Sequence, residues 1–309
     1  MGIVVLGSIN VDLTGRVAHL PRAGETLSGE SLAFALGGKG ANQAVAVARL
    51  GLAPALIAAV GADAFGQLAT GRLTALGVPI ELVRVEPDIA TGTAMILVDS
   101  DGHNTIAIFA GANASICLQD LQRAQLQQAT LLLIQLETPL AASLAAAAMV
   151  RAAGGLVILD PAPCPRSGLA DAALAACDVI TPNETEAAML TGIACDTLSS
   201  ARTAARQLLE RGARRVLLKL GARGALLMSH TAFGGLDLHV APWRVDAIDT
   251  VAAGDCFNAG LAVALSEGQS WQQATAFANA CGALATTRAG AADSAPARTE
   301  VADLMRTQD

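Results

Sequence analysis

Residues 131–160 have the sequence LLLIQLETPLAASLAAAAMVRAAGGLVILD, and this stretch decides the fold. Two short apolar runs, at 131–136 and 156–159, flank an alanine- and leucine-rich helical pattern at 139–151. A buried strand, a helix and a second buried strand in this order form the βα repeat of a parallel sheet. The stretch therefore predicts an α/β protein.

The same alternation continues on both sides of this stretch, through most of the 309 residues. Other apolar runs are short enough for buried strands, and longer segments have the apolar spacing of helices. We predict a doubly wound, mainly parallel sheet flanked by helices. The added strands are at 3–6, 56–60, 179–180 and 216–220, and the added helices at 41–50, 65–75, 199–211, 254–266 and 271–287.

Two stretches break this alternation. Residues 11–31 have no convincing helical pattern, and residues 93–109 alternate around Ser100-Asp101-Gly102, a sequence typical of a hairpin turn. Strands outside the βα core have to pair with each other. We therefore predict one α/β domain over 1–309, with a small β-sheet lid formed from about 11–31 and 93–109.

Composition excludes several classes of function. Hydrophobic residues make up 53% of the chain and charged residues 15%, which is enough apolar material for a large buried core. The net charge of −7 and the 3% aromatic content argue against a nucleic-acid partner. No uncharged apolar run reaches the roughly 18 residues that span a bilayer, and the first residues lack the basic region of a signal peptide. We expect a cytoplasmic protein without a membrane partner.

The strongest chemical signal is DTVAAGD at 249–255, which leads into an apolar helix. Small residues let the backbone approach a ligand closely, and the free amides at the start of a helix attract anions. Asp255 is placed at the rim of this anion site, where it can accept a proton from an alcohol. The competing interpretation is that Asp255 only caps the helix.

A second signal is GGKGANQ at 37–43. It is not a P-loop, because the spacing GxxxxGK followed by Ser or Thr is missing. A glycine-rich bend with Lys39 and Asn42 as donors suits close packing against a neutral polyol. The alternative is a flexible turn with a solvated lysine.

Polar side chains also follow two of the predicted strands. Asn10 and Asp12 come after the first strand, and their spacing of two sends both side chains the same way. Glu137 ends the strand at 131–136. Ligands of open α/β sheets collect at this edge, so these groups can bind adjacent hydroxyls. An Asx turn and a solvated loop glutamate are the alternatives.

Two further motifs suit a nucleotide. Carboxylates in Asn183-Glu184-Thr185-Glu186 can hold water ligands of Mg²⁺, although Asn183 is also a good helix cap. Gly221-Ala222-Arg223-Gly224 follows a predicted strand and can lie along phosphates. By itself a GxxG sequence is a weak signal.

Taken together and in this order, these motifs resemble the ribokinase or PfkB-type family of sugar kinases. The resemblance extends over essentially the whole chain. It rests on GSINVD at 7–12, PRAGET at 21–26, GGKGANQA at 37–44, AGANA at 110–114, QLETP at 135–139, PAP at 161–163, TPNETEA at 181–187, DTVAAGDCFNAG at 249–260 and TRAGA at 287–291.

The resemblance implies ATP-dependent phosphorylation of D-ribose at its primary hydroxyl, and a homodimer that forms through the lid. Asp255 would be the general base, with an anion hole formed by the amides of Ala252, Ala253, Gly254 and Asp255. The sugar would be bound by Asn10, Asp12, Gly38, Lys39, Asn42, Glu137 and Asp255. ATP would be bound by Asn183, Lys219, Gly221, Arg223, Gly224, Gly254 and Asn279.

The resemblance also implies two kinds of metal ion. A monovalent cation, K⁺, would be held by Asp249, Val251, Ala285, Arg288, Gly290 and Ser294, largely through backbone oxygens. Glu186 would organise Mg²⁺ through water.

The chain departs from the family pattern mainly at the nucleotide end. Lys219 stands where a small hydroxyl residue is common, Asn279 where histidine is frequent, and Asp160 where asparagine is common before PAP. The loop at 229–235 is slightly longer. Kinases for deoxyribose, a ketohexose or a nucleoside remain alternatives. A sensor without catalysis is another, but it would have no need of a base at Asp255.

Overall fold

The structure is a computed structural model that describes residues 2–123 and 126–307, so both ends of the predicted domain 1–309 lie outside it. The fold class is confirmed: helices cover a nine-stranded, mainly parallel sheet, and four further strands form a separate small sheet. The strands are β1 (Ile3–Leu6), β2 (Asn10–Arg16), β3 (Ser31–Gly37), β4 (Ala55–Gly61), β5 (Val83–Glu86), β6 (Gly92–Val98), β7 (Asn104–Phe109), β8 (Leu131–Ile134), β9 (Leu156–Leu159), β10 (Val179–Ile180), β11 (Arg215–Lys219), β12 (Ala225–Ser229) and β13 (Asp237–Val240). The helices are α1 (Lys39–Arg49), α2 (Ala64–Ala75), α3 (Leu118–Arg123), α4 (Leu140–Ala152), α5 (Asp171–Ala175), α6 (Glu184–Thr191), α7 (Leu198–Glu210), α8 (Ala253–Ser266), α9 (Trp271–Ala285) and α10 (Arg298–Thr307).

The large sheet has the strand order β13-β12-β11-β10-β9-β8-β1-β4-β5. Neighbouring strands from β11 to β5 are parallel, whereas β12 pairs antiparallel with both β11 and β13. The central strands β1 and β8 are entirely apolar and buried, because helices cover both faces of the sheet.

Alternate residues of β1 enter two different hydrophobic cores. Val5 packs in the core formed with α1, α8 and α9, while Val4 packs in the core formed with α4 and α7. This is the period-two alternation of a strand between two layers of helices. Within the described part of the chain, every helix is too short or too polar to cross a bilayer.

The small sheet, which we call the lid, has the order β3-β2-β6-β7. Its hairpin between β6 and β7 turns where predicted, with Gly102 in the left-handed region (φ 84°). The third strand, β3, lies beyond the predicted limits of 11–31. Large and small side chains alternate along it, so a period-two search over 31–37 would have detected it.

Each predicted strand and helix of the core is present, with ends displaced by no more than two residues. Most of the missed elements are short or partly exposed: β5 is half-exposed and α5 has only five residues. The hairpin of β12 and β13 was missed although β12 is fully buried. The sequence predicts only a loop at 229–235 here, where the structure has the connection between these two strands.

Candidate active site

The first turn of α8 forms one wall of the site. The helix begins after Ala252, which has φ 57° and ψ 6° and is the one non-glycine residue with positive φ in the described chain. An alanine in this region costs roughly 1–2 kcal/mol, so surrounding contacts must hold it there. The amide of Ala253 donates to the Thr250 carbonyl (3.3 Å), whereas those of Gly254 and Asp255 have no acceptor within the helix. This turn offers an anion at least two free donors.

A cleft of about 980 Å³ opens beside this turn, where β9, β10 and β11 end. Lys39 and Asp255 line it at the boundary with the predicted sugar pocket. The nucleotide-end residues that line it are Asn183, Glu186, Lys219, Gly221, Gly224, Gly254 and Asn279. Most of the residues predicted to bind ATP therefore share one cleft.

Asp255 is held by two neighbouring amides of α1. Asn42 Nδ2 donates to Oδ2 (2.9 Å), and Gln43 Nε2 donates to Oδ1 (3.1 Å). Burial raises the pKa of Asp255, and the charge of Asp160 adds to this; Lys39 and the two amides offset only part of the rise. A carboxylate with a raised pKa accepts a proton from a hydroxyl more readily, which suits a general base.

The lid strand β2 brings Asn10 and Asp12 to the same place. Asn113 Nδ2 donates to Asn10 Oδ1 (2.8 Å) and fixes the orientation of that amide. The Asp12 carboxylate lies against Gly37, where a Cβ atom would come within 2.2 Å of Oδ2. Burial, and then the charge of Glu137, raise the pKa of Asp12 to about 6.

The glycine-rich bend is fastened to the end of β1. Glu137 accepts hydrogen bonds from the Ser8 hydroxyl and from the amide of Lys39 (3.1 Å for the latter). Gly38 has φ 90°, and a Cβ atom on it would lie 2.8 Å from the amide nitrogen of Asn10. Glycine is required here by both conformation and space.

The ammonium of Lys39 is surrounded by carboxylates. Burial works to lower the pKa of Lys39, but the charges of Asp255, Asp160, Glu137 and Glu186 outweigh it and raise the pKa. Lys39 therefore remains a cation between the two pockets. The structure thus brings together all the predicted sugar-pocket residues: Asn10, Asp12, Gly38, Lys39, Asn42, Glu137 and Asp255.

Sequence reasoning missed a layer of polar residues behind Asp255. Gln135 Nε2 donates to Gln43 Oε1 (2.6 Å), which directs the amide nitrogen of Gln43 towards Asp255 and Asp160. Asn113, also missed, supports Asn10. Gln135 and Asn113 lie in the motifs QLETP and AGANA. A polar side chain after an apolar strand could have indicated both, because buried polar groups need hydrogen-bond partners.

Asn183 and Glu186 cap the start of α6 reciprocally. Asn183 Oδ1 accepts from the Glu186 amide (2.8 Å), and the Glu186 carboxylate accepts from the Asn183 amide (2.8 Å). The capping interpretation therefore holds for both residues, which also line the cleft. Burial raises the pKa of Glu186, against the lowering effect of Lys219.

The Arg223 side chain does not line the cleft that the other predicted nucleotide residues share. Its guanidinium donates to Glu184 and to the Cys195 carbonyl, and it is not among the residues that line the cleft. The short 3₁₀ turn at Gly221–Arg223 ends at Gly224 with positive φ, and the side chain leaves in another direction. The structure gives no support to a phosphate contact by the Arg223 side chain.

The segment between β13 and α8 supplies a wall that sequence reasoning missed. Residues 242–247 line the cleft, among them Trp243, whose indole Nε1 donates to the Ala276 carbonyl (3.2 Å). In return, Asn279 Nδ2 of α9 donates to the Ala241 carbonyl (2.8 Å), just before this segment. The segment has no periodic pattern, so nothing in the sequence singled it out.

The residues predicted to hold a monovalent cation come from two adjoining loops. The Asp249 carboxylate accepts from the amides of Val251 (3.0 Å) and Gly290 (2.9 Å) and so ties these loops together. The guanidinium of Arg288 pairs with Glu300, and the Ser294 hydroxyl donates to the Ala291 carbonyl (2.8 Å). Ala285 is the last residue of α9.

A buried carboxylate beside free helix amides, between a small polar pocket and a larger cleft, is the arrangement expected of an enzyme that transfers a phosphoryl group to a sugar hydroxyl. Comparison with known proteins agrees. The model of the pfkB family carbohydrate kinases matches residues 2–298, and the chain belongs to this family.

Within the family, the chain is similar to ribokinases and to a deoxyribokinase. The chain is 38% identical to a ribokinase of Haemophilus influenzae, over 98% of both chains. It is 36% identical to a deoxyribokinase of Salmonella typhi, over 83% of both. Its structure is similar to that of Arabidopsis thaliana ribokinase complexed with ribose and ATP, with a TM-score of 0.89 and 33% identity over 98% of both chains.

Proposed function

We propose that this chain transfers the γ-phosphoryl group of ATP to the primary hydroxyl of D-ribose, giving ribose 5-phosphate and ADP. The ribokinase relatives, including one complexed with ribose and ATP, support this substrate. The observation that carries the proposal is the Asp255 carboxylate, buried between Asn42 and Gln43 beside the free amides of α8.

In this reaction Asp255 accepts the hydroxyl proton while the sugar oxygen attacks the γ-phosphorus in line. The bond from phosphorus to the bridging oxygen breaks, and ADP leaves with its electron pair. Positioning and charge stabilisation supply most of the acceleration. General-base assistance adds about 10²–10⁴-fold. The free amides of Gly254 and Asp255 would stabilise the charge on the phosphoryl oxygens.

The sugar would be bound by Asn10, Asp12, Gly38, Lys39, Asn42 and Glu137. Because Asn10 and Asp12 belong to lid strand β2, sugar binding and lid position are coupled. An ionised Asp12 accepts hydrogen bonds from adjacent hydroxyls. Closure of the lid over the sugar would exclude water and limit hydrolysis of ATP.

ATP would be bound by Asn183, Lys219, Gly221, Gly224, Gly254 and Asn279. The carboxylates of Asp160, Glu184, Glu186 and Asp255 line the same cleft, so the nucleotide phosphates need a counter-cation. Hard oxygen donors suit Mg²⁺, and Glu186 would hold it through water. When bound, Mg²⁺ neutralises charge on the phosphates.

K⁺ would activate the enzyme from the loops joined by Asp249. Asp249, Val251, Ala285, Arg288, Gly290 and Ser294 would provide its ligands, largely backbone oxygens. Support comes from the position of Asp249 and Val251 directly before Ala252. The side chains of Arg288 and Ser294 are engaged in other bonds, which leaves their backbone oxygens as candidate ligands. A cation there would steady the turn that opens α8.

We propose a cytoplasmic homodimer that forms through the lid. Six large apolar side chains of the lid are at least half exposed, which is unusual for a sheet facing water. They are Leu32, Phe34, Met95, Ile106, Ile108 and Phe109. The six cysteines are free, as is usual in a reducing compartment.

Deoxyribose is the second candidate substrate, because deoxyribokinases are relatives at 36% identity. A coupled ADP-release assay over pentoses, hexoses and nucleosides, with and without K⁺, tests both. We expect kcat/KM for D-ribose to exceed that for 2-deoxyribose by at least about tenfold, because a missing hydroxyl leaves buried polar groups unpaired. The Asp255→Asn protein controls for contaminating kinases. Failure to release ADP with any sugar would contradict the proposed function.

A further inference from the structure

Two residues that the resemblance marks as departures from the family pattern, Lys219 and Asp160, meet in the structure. Lys219 ends β11, and Asp160 follows β9. Lys219 Nζ lies 2.9 Å from Asp160 Oδ1, and the two side chains are 12% and 2% exposed. The sequence indicated each departure separately, but the contact shows that they form one ion pair.

The ammonium of this pair lies at the start of α8. A Cβ atom built on Gly254 would be 3.4 Å from Lys219 Nζ, so the cation stands against the backbone of the anion hole. Lys219, Gly254 and Asp255 line the same cleft. A phosphoryl group on the amides of Gly254 and Asp255 would therefore come within reach of Lys219.

Asp160 also connects this cation to the base. Its second oxygen, Oδ2, faces Gln43 Nε2 (3.4 Å), and the same nitrogen donates to Asp255 Oδ1 (3.1 Å). A buried ion pair loses hydration on both partners, so it is a weak source of stability, and stability alone does not account for this pair.

We infer that Lys219 contacts the phosphoryl group during its transfer, and that Asp160 is the positioning residue that holds the ammonium beside the anion hole. The inference rests on the proposed kinase function. Lys219 exchanges no proton: the hydroxyl proton goes to Asp255, and the electron pair of the broken bond leaves with ADP. The ammonium offsets the negative charge that develops on the phosphoryl oxygens.

The test compares Asp160→Asn with the double variant Asp160→Asn/Lys219→Met. Neither protein contains a buried carboxylate without a partner, so both are expected to fold. Asp160→Asn, which removes only the partner of the ammonium, should lower kcat about tenfold. The double variant also removes the cation and should lower kcat by about a further hundredfold. Lys219→Arg keeps the charge and should stay within about tenfold of wild type.

The affinity for ADP separates this role from a structural one. Because the cation acts on the transferred group, the dissociation constant for ADP by calorimetry should agree within about threefold between wild type and the double variant. A larger loss of ADP affinity would contradict the placement of Lys219 on the transferred group.

Two kinetic results would overturn the inference. Equal kcat in the single and double variants would remove Lys219 from the reaction, and an unchanged kcat in Asp160→Asn would remove the positioning role. Wild-type turnover of ribose is measured first in the same assay. When it is present, either result counts against the ion pair and not against the proposed function.

Discussion

At the scale of single residues, the Asp12 carboxylate favours function at the expense of stability. The structure raises the pKa of Asp12 from 3.8 to about 6, by burial and then by the charge of Glu137. Ionised Asp12 is the form that binds hydroxyls, and it is also the form that the folded state disfavours. Burial disfavours the charged form of a carboxyl group, so a buried binding site without its ligand destabilises the ionised Asp12.

Asp12→Asn should therefore stabilise the protein without ligand, in a way that depends on pH. The folded state binds the Asp12 proton more tightly than the unfolded state, so this contribution to stability is present below pH 3.8 and is lost as the pH rises through about 6. A rise from 3.8 to about 6 corresponds to about 3 kcal/mol. The variant, which cannot ionise, should be more stable by up to about 3 kcal/mol at pH 8 and nearly equal to wild type at pH 4.

Urea unfolding of the protein without ligand at both pH values measures this difference. Asp101→Asn, at the exposed turn of the lid hairpin, is the matched control and should change stability by less than about 0.5 kcal/mol at either pH. A gain from Asp12→Asn that is the same at pH 4 and pH 8 would argue against ionisation as its cause.

At the scale of elements, the site depends on how closely α1 approaches the end of β1. Gly40 lies in α1, and a Cβ atom there would come within 2.5 Å of the Gly7 carbonyl carbon. This close approach lets α1 present Asn42 and Gln43 to Asp255.

Gly40→Ala should destabilise the protein by more than about 2 kcal/mol, because backbone atoms of β1 and α1 must separate. Gly71→Ala is the matched control: Gly71 lies inside α2 and has open space around its Cα. That substitution should stabilise the protein by about 1 kcal/mol through helix propensity. Denaturant unfolding of both variants measures the contrast, and equal effects would contradict the claim that the contact at Gly40 is tight.

Elements were predictable from sequence where one signal was strong. The buried strands and the long helices carry uninterrupted or periodic apolar patterns, so β1, β9 and β10 were predicted with their observed ends. Strand β3 was missed although its alternation of large and small side chains is visible in the sequence. The wall at 242–247 was missed because a local pattern does not report which distant residues a segment will face.

The candidate site shows the same limit. Motif residues such as Asn42 and Asp255 were predicted and do meet. The direction of the Arg223 side chain and the pairing of Lys219 with Asp160 depend on contacts between segments far apart in the chain, which spacing alone does not determine.

At the scale of the whole molecule, the lid connects the sugar pocket to the proposed dimer. Its strand β2 carries Asn10 and Asp12, while its edge strands carry exposed apolar side chains. Association through this sheet would cover those side chains and restrict the movement of the strand that binds the sugar.

Ile108→Asp should prevent dimer formation and raise KM for the sugar. Wild type should have a mass near twice 31.1 kDa by light scattering, and the variant a mass near 31.1 kDa. Leu118→Asp, at an exposed apolar residue of α3 outside the lid, is the control and should remain dimeric. A dimeric Ile108→Asp protein, or a monomeric wild type, would exclude association through this part of the lid.

The central claim is that Asp255 takes the proton from the sugar, and the turnover of Asp255→Asn tests it most directly. Asparagine keeps the shape of the side chain but cannot accept the proton, so kcat should fall by at least about a hundredfold. Sugar binding, measured by calorimetry on the same protein, should persist. A variant that retains near-normal kcat would contradict the claim.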